Sequence, residues 1–433
     1  MAKHAVVISL DALGSADLAA RLQFLPNIAS LIAGGTWVKE VKGVYPSITY
    51  PSHTSIITGT YPKTHGVVNA TLMQPERESP DWFWYAKHIK VPTVYDLARE
   101  AGLTTAAFLW PVTAGAKINW NIAEIFPNRI WTNQYTTSLR ASSPLFLLQM
   151  DRKFGHLRKG IQQPELDNFI TAAAVDTIKT KKPNLTLIHL VDMDSHRHRY
   201  GVRTQQAWDA LDRLDQHVGD LIQATKDAGI FDDTDFMVLG DHYQMNVSKM
   251  IHLNMLFADR GWLRATHNGR VARNWQVLAK HTDGATYVYL KDASLLQQVQ
   301  KMVSEVEGEG VKAVYDHSEL VEFGADPEAS LMVEAQKGYY FTDETRRPAV
   351  VEEVTNEMLE RGEVDRYKGT HGYHPDNEDY TTTLILNGPD IEAGQELTLD
   401  IDLTSEGPTM AKLLGLQFNT PTDGHVIDEA FKE

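Results

Sequence analysis

No cysteine occurs among the 433 residues. Disulfides, thiolate metal sites, a cysteine nucleophile and any residue made from cysteine are therefore excluded, and a metal would have to be held by histidine and carboxylate. Long apolar runs are absent too: none reaches the roughly 18 residues of a membrane span. The run Ala5 to Leu10 is too short for a signal-peptide core and reads as a first buried strand, so the expectation is a cytoplasmic chain with no membrane association. Positive charge is scarce. With 41 Lys and Arg against 57 Asp and Glu, the net charge of -16 argues against a nucleic-acid-binding surface, because non-specific affinity for polyanions comes from cations at phosphates. An anionic ligand would need local positive charge, and bound dications are one source.

What is present is ordinary for a large folded chain, 42% hydrophobic and without repeats or low-complexity tracts. After Ala5 to Leu10 come an acidic turn at Asp11 and a helical pattern through Leu18, Leu22, Leu25, Ile28, Leu31 and Ile32, which together make a strand–turn–helix unit. Gly34-Gly35 ends that helix, and Trp37 to Val44 reads as extended. Further strands are expected at Thr104 to Leu109, Asn184 to Val191, Asp235 to Leu239 and Thr382 to Leu386. Helices are expected at Val94 to Ala101, through Trp208 to Ile222, and around Thr409 to Leu414. Residues 111–160 read as irregular. From about 250 to 345 the pattern changes to alternating helix and strand with Gly- and charge-rich turns. The expected architecture is an α/β core over 1–250 and 346–433 with a mostly parallel central sheet and helices on both faces, interrupted by a smaller α+β cap-like insertion over 251–345.

The segment Tyr45-Pro46-Ser47-Ile48-Thr49-Tyr50-Pro51-Ser52-His53 sets a hydroxyl on a proline-stiffened turn. The residue before a proline is pushed out of the helical region, so the expectation is a helix that begins after Pro51 with Ser52 as its cap and Thr49 just ahead of it. The free N–H groups of such a helix end attract phosphate. A surface loop whose threonine bonds its own backbone is the competing reading of this segment.

Three expected strands end in acid or acid plus histidine: Asp11, the run Asp192 to His198, and Asp241-His242, with His371 in a Gly-flanked loop. Each alone is a helix cap or a surface histidine. Together, at the carboxyl ends of parallel strands, they converge on one sheet edge, where unpaired carboxylates repel. Oxygen and nitrogen ligation without sulfur suits Zn²⁺ first and Mn²⁺ second. Two ions about 4 Å apart clamp an in-line phosphoryl transfer, and a threonine hydroxyl, scarcely ionised at neutral pH, needs such a dication to become a nucleophile.

These motifs, with Thr64-His65-Gly66-Val67-Val68-Asn69, the D-x-x-x-H-x-x-G run Asp194 to Gly201, Gly240-Asp241-His242 and Gly369-Thr370-His371-Gly372-Tyr373, occur in order along nearly the whole chain. The sequence resembles the alkaline phosphatase superfamily, in particular its type I phosphodiesterase and nucleotide pyrophosphatase branch. The resemblance implies two divalent ions, one held by Asp11, Thr49, Asp241 and His242 and the other by Asp194, His198 and His371. It implies a covalent phosphothreonine on Thr49, substrate contacts from Tyr50 and Asn69, and cleavage of a phosphodiester or nucleotide pyrophosphate bond in a small substrate; a phosphonate hydrolase, a phosphomonoesterase and a degenerate metal- or phosphoryl-ligand-binding protein are the alternatives. Two departures stand out. Asp192/His196 overlaps Asp194/His198 as a ligand pair, the second fitting the H-x-x-G continuation, and the family's phosphate-contacting Asn falls at Ala70, one place after Asn69. Oligomeric state is not legible.

Overall fold

β-Branched and leucine-rich runs pair where both faces are covered by helices, and here they build one sheet of eight strands. The strands are β1 (His4–Leu10), β2 (Thr36–Val41), β3 (Thr105–Phe108), β4 (Trp120–Ile122), β5 (Leu185–Leu190), β6 (Thr234–Leu239), β7 (Thr382–Asn387) and β8 (Gln395–Leu397). Their order is β8-β2-β7-β6-β1-β5-β3-β4. β1 lies at the centre, parallel to β5 and β6, with Ser9 opposite both His189 and Leu239. Only β7 runs against its neighbours. The computed structural model describes residues 3–267, 269–306 and 310–433. Residues 1 and 2, at the start of the expected core, and 268 and 307–309, in the expected insertion, lie outside the described residues.

Alternation along β1 divides the core. Val6, Ile8 and Leu10 join one apolar cluster, whereas Ala5 and Val7 join the cluster on the other face. The first cluster is closed by α2 (Glu165–Lys181) and α4 (Gln205–Asp227), which bury Phe169, Ile170, Leu214, Val218 and Leu221. At about 1.5–3 kcal/mol for each large apolar side chain buried, these helices are held by packing, not by propensity. The second cluster is closed by α1 (Thr49–Thr58) and the helices Val94–Glu100 and Glu406–Leu413. Between α2 and α4 comes α3 (Asp192–Tyr200), directly after β5.

Three local expectations are corrected. α1 begins at Thr49, with Ile48 as its N-cap, so Pro51 lies inside the first turn, where its missing N–H has no partner to lose. Ser52 is not the cap, and its hydroxyl is buried without a hydrogen bond among the described residues. The pattern through Leu18 to Ile32 is split into Ser15–Arg21, a 3₁₀ turn Leu22–Phe24 and Pro26–Ala33, because Pro26 opens a new helix and cannot continue the old one. Residues 111–160, read as irregular, contain β4 and the helices Gln134–Ala141 and Pro144–Phe154; the frequent Pro, Asn and Ser are their caps and starts.

Within 251–345 four antiparallel strands form a separate sheet in the order 311–316, 331–335, 285–290, 277–281. Its apolar face packs with Tyr340, Tyr373 and Tyr380. The tight turn at 282–284 reaches back to the sheet edge where the acidic strand ends lie. Among the described residues no helix is long and apolar enough to cross a membrane.

Candidate active site

Register brings the acidic strand ends together. Asp11 follows β1, Asp192 and Asp194 follow β5, and Asp241-His242 follows β6, three adjacent parallel strands ending at one level. Gly240 permits this: a Cβ there would stand 1.9 Å from the Leu13 carbonyl oxygen. Thr49 comes from the other face, as the first residue of α1, and its Oγ1 lies 3.1 Å from His242 Nε2.

Around His242 Nε2 the remaining neighbours are Asp11 Oδ1 and Asp241 Oδ2, each at 3.2 Å. Asp11 Oδ1 and Asp241 Oδ2 are buried without a hydrogen-bond partner among the described residues. A second group consists of Asp194, His198 and His371. Here His198 Nε2 stands 3.3 Å from Asp194 Oδ1 and 3.2 Å from His371 Nε2, and His371 Nε2 stands 3.8 Å from Asp194 Oδ1. Asp194 also falls within reach of Asp11 and His242, so it sits between the two groups.

These spacings fit a cation. Ligand atoms on a tetrahedron about 2.1 Å from a metal are about 3.4 Å from one another, and the atoms here repeat that separation. Orphaned carboxylate oxygens facing imidazole nitrogens are costly unless a positive charge satisfies them. His198 donates its Nδ1–H to the Gly369 carbonyl at 2.9 Å, which leaves its Nε2 lone pair aimed at the cluster. The donor set is oxygen and nitrogen without sulfur, as zinc and manganese accept.

The charges respond in the same sense. Burial, and then the charge of Asp194, pushes the Asp11 carboxyl well above the usual range; burial and the charge of Asp11 do the same to Asp241. Burial alone would raise Asp194 as well, but the neighbouring His198 and His371 outweigh it and hold that carboxyl low. His242 and His371 are pushed down by burial and by neighbouring imidazoles, which keeps both neutral and available as ligands.

The two overlapping Asp/His pairs have different surroundings, Asp194 and His198 grouping with His371. His196 Nδ1–H donates to the Asp192 carbonyl at 2.8 Å and stands 2.9 Å from Asp192 Oδ1, while Asp192 Oδ2 accepts from Arg213 Nε at 2.6 Å, so this carboxylate faces an imidazole and a guanidinium. Tyr50 is buried, its ring 5.4 Å from that of Trp82, and its hydroxyl donates to Glu124 Oε1 at 3.1 Å. Asn69 donates from Nδ2 to the His281 carbonyl at 3.1 Å, and its Oδ1 accepts from the Ala70 N–H at 2.7 Å.

Several supporting residues were not singled out from the sequence. His53, one turn into α1, donates Nδ1–H to the Thr49 carbonyl at 2.8 Å, lies 3.4 Å from Asp241 Oδ2, and meets Ser9 Oγ with Nε2 at 2.9 Å. His189 Nε2 lies 3.0 Å from Asp11 Oδ2; a histidine inside an apolar strand was its only signal. Gln244 donates to Asp194 Oδ1 at 2.5 Å, two residues beyond His242. Asp283, from the turn at 282–284, lies 3.5 Å from His371 Nδ1 and had no signal at all.

The family model for type I phosphodiesterase / nucleotide pyrophosphatase matches residues 5–374. The chain belongs to this family. All the residues gathered above fall inside the segment that matches the type I phosphodiesterase / nucleotide pyrophosphatase family. Among its relatives, human ectonucleotide pyrophosphatase/phosphodiesterase family member 1 is 26% identical over 269 residues, 59% of this chain and 25% of that protein. Venom phosphodiesterase 2 of Crotalus adamanteus is 24% identical over 254 residues, 56% of this chain and 27% of that protein. The matched segment thus spans about a quarter of the length of these relatives. In fold the chain is similar to murine ectonucleotide pyrophosphatase / phosphodiesterase 5, solved in an inactive form in complex with AMP. That likeness has a TM-score of 0.70 at 17% identity and covers 100% of both chains. The human form of the same protein gives 0.69 at 18%, again over 100% of both chains.

Proposed function

We propose that this chain is a two-metal phosphohydrolase that cleaves a phosphodiester or nucleotide pyrophosphate bond through a phosphothreonine on Thr49. One observation carries the reading: Thr49 Oγ1 lies 3.1 Å from a neutral His242 Nε2 that is itself ringed by Asp11 and Asp241. Asp11, Asp241, His242 and Thr49 would hold one ion, and Asp194, His198 and His371 the other. Zinc suits the donors best, with manganese second. When bound, the ions supply Lewis-acid charge for the phosphoryl oxygens and activate the hydroxyl.

The chain's own groups do the rest. His53 fixes the Thr49 carbonyl and so the direction of its side chain. The first N–H groups of α1 lie beside Thr49, where they favour a phosphoryl oxygen. As the Thr49 Oγ1–P bond forms, the bond to the leaving alcohol or nucleotide breaks, and water entering from the opposite side releases the phosphorylated product. Asn69 retains one Nδ2–H beyond its bond to the His281 carbonyl, which is available to substrate. Trp82, half-buried and held edge-on by the buried Tyr50, offers an aromatic wall. AMP in the murine relative's complex supports a nucleotide-type substrate.

A phosphonate hydrolase or a phosphomonoesterase would use the same metal groups, and a degenerate metal-binding relative would keep them without turnover. The absence of cysteine is compatible with a cytoplasmic location, because folding then needs no oxidising compartment; cell fractionation tests that part. The deciding experiment is Thr49→Ala. It is expected to keep the fold and both ions while hydrolysis of bis-p-nitrophenyl phosphate falls about a thousandfold or more; full activity in this variant rejects the mechanism. A panel of diesters, nucleotides, monoesters and phosphonates ranks the substrates.

A further inference from the structure

The insertion does more than flank the site. Its turn between the strands Val277–His281 and Ala285–Leu290 is locked onto the loop that carries His371. Gly284 N–H donates to the His371 carbonyl at 2.8 Å. Gly372, at φ +87°, comes so close that a Cβ would stand 1.7 Å from the Thr282 carbonyl oxygen. On the other side, Gly372 N–H donates to the Ser47 carbonyl at 2.9 Å, so the loop is held between this turn and the segment leading to Thr49.

Asp283 is the tip of the turn. It is buried, and its backbone is left-handed at φ +63°, which aims the side chain into the site instead of out to solvent. Its Oδ2 accepts from Thr370 Oγ1 at 2.9 Å and lies 3.5 Å from His371 Nδ1; its Oδ1 lies 3.2 Å from His281 Nδ1. His371 Nδ1 has no hydrogen bond among the described residues, and this carboxylate is the group that faces it.

The geometry points to Asp283 as a positioning residue that holds His371 with its proton on Nδ1 and its Nε2 lone pair toward His198 and Asp194. The fold thereby makes one of the two metal groups depend on a side chain from the inserted segment, nearly 90 residues from the ligand it orients. A carboxylate behind a ligating imidazole fixes the tautomer, limits ring rotation and raises ligand basicity, and its loss costs about 10–100-fold in metal affinity. Asp283 belongs to neither ligand group and acts through His371. This inference rests on the proposal that His371 binds metal.

The test uses the whole chain. Wild type, Asp283→Gly, which tolerates the left-handed backbone, and Asp283→Asn, whose amide oxygen can stand in the carboxylate's place facing His371, are titrated with Zn²⁺ against a chromogenic chelator. Two sites are expected in wild type, about 10–100-fold weakening of one of them in D283G with the other unchanged, and recovery of most of that loss in D283N. Long-range ¹⁵N spectra of the metal-free wild type are expected to show His371 protonated on Nδ1, and D283G to lose that preference. Two sites of unchanged affinity in D283G, or His371 protonated on Nε2 in wild type, overturn the inference while leaving the proposed function intact. Wild type that binds no zinc overturns both.

Discussion

His198 Nε2 and His371 Nε2 stand 3.2 Å apart, although the two residues come from a helix after β5 and from a loop more than 170 positions later. Unless one ring donates its Nε2–H to the other, two nitrogen lone pairs meet here beside the buried Asp194 carboxylate and repel. A cation between them removes the conflict, and the same arrangement recurs around His242.

Chelation is therefore expected to destabilise the protein. A ligand at a hundred times its dissociation constant adds about 2.7 kcal/mol to the folded state, so EDTA treatment should lower Tm by several degrees and zinc should restore it. Differential scanning calorimetry with and without chelator checks this, and an unchanged Tm rejects it.

Removing one carboxylate should have opposite effects in the two metal states. Asp241 is pushed above its usual range by burial and by the charge of Asp11, so its contribution to metal-free stability is full below the unfolded-state pKa and is lost as pH rises. Metal-free Asp241→Asn should then be more stable than metal-free wild type at pH 8, by about 1–3 kcal/mol, and the advantage should shrink toward pH 4. With zinc present the order should reverse. Denaturant melts in four conditions read both signs.

The two histidines of α3 should separate cleanly. His198→Ala is expected to lose one bound ion per chain, measured by elemental analysis, and most of the diesterase activity. His196→Ala should keep both ions and its activity and cost only about 1–2 kcal/mol, because its ring contacts Asp192 and stacks on Tyr200, and Arg213 still holds that carboxylate. Loss of an ion in H196A sinks this assignment.

Glu334, on the four-stranded antiparallel sheet, accepts from Tyr45 and Asn377 side chains and the His374 N–H, yet burial lifts its carboxyl from 4.5 to about 7. A raised acid favours the folded state at low pH and stops doing so as pH climbs from about 4.5 through 7. The metal-loaded Glu334→Gln variant should gain on wild type by up to about 3 kcal/mol between pH 5 and pH 8. A difference that stays flat across that range shows that the carboxyl titrates normally.

Much of this was legible in the chain itself. Absence of cysteine limited any metal site to oxygen and nitrogen, and apolar runs ending in Asp11, the 192–198 segment and Asp241-His242 marked three acidic strand ends that meet at one edge, because in a parallel sheet the residue after each strand faces the same edge. Thr49 was found by its motif, although the helix starts at that residue and not after Pro51. Local signals could go no further. The separation of Asp194/His198 from Asp192/His196 depended on which face of α3 turns toward the cluster and on Arg213 claiming the other pair. Asp283, His189 and His53 became visible only once distant segments were packed together, since a buried polar side chain acquires its role from the partner it meets and nothing in its neighbours along the chain specifies that partner.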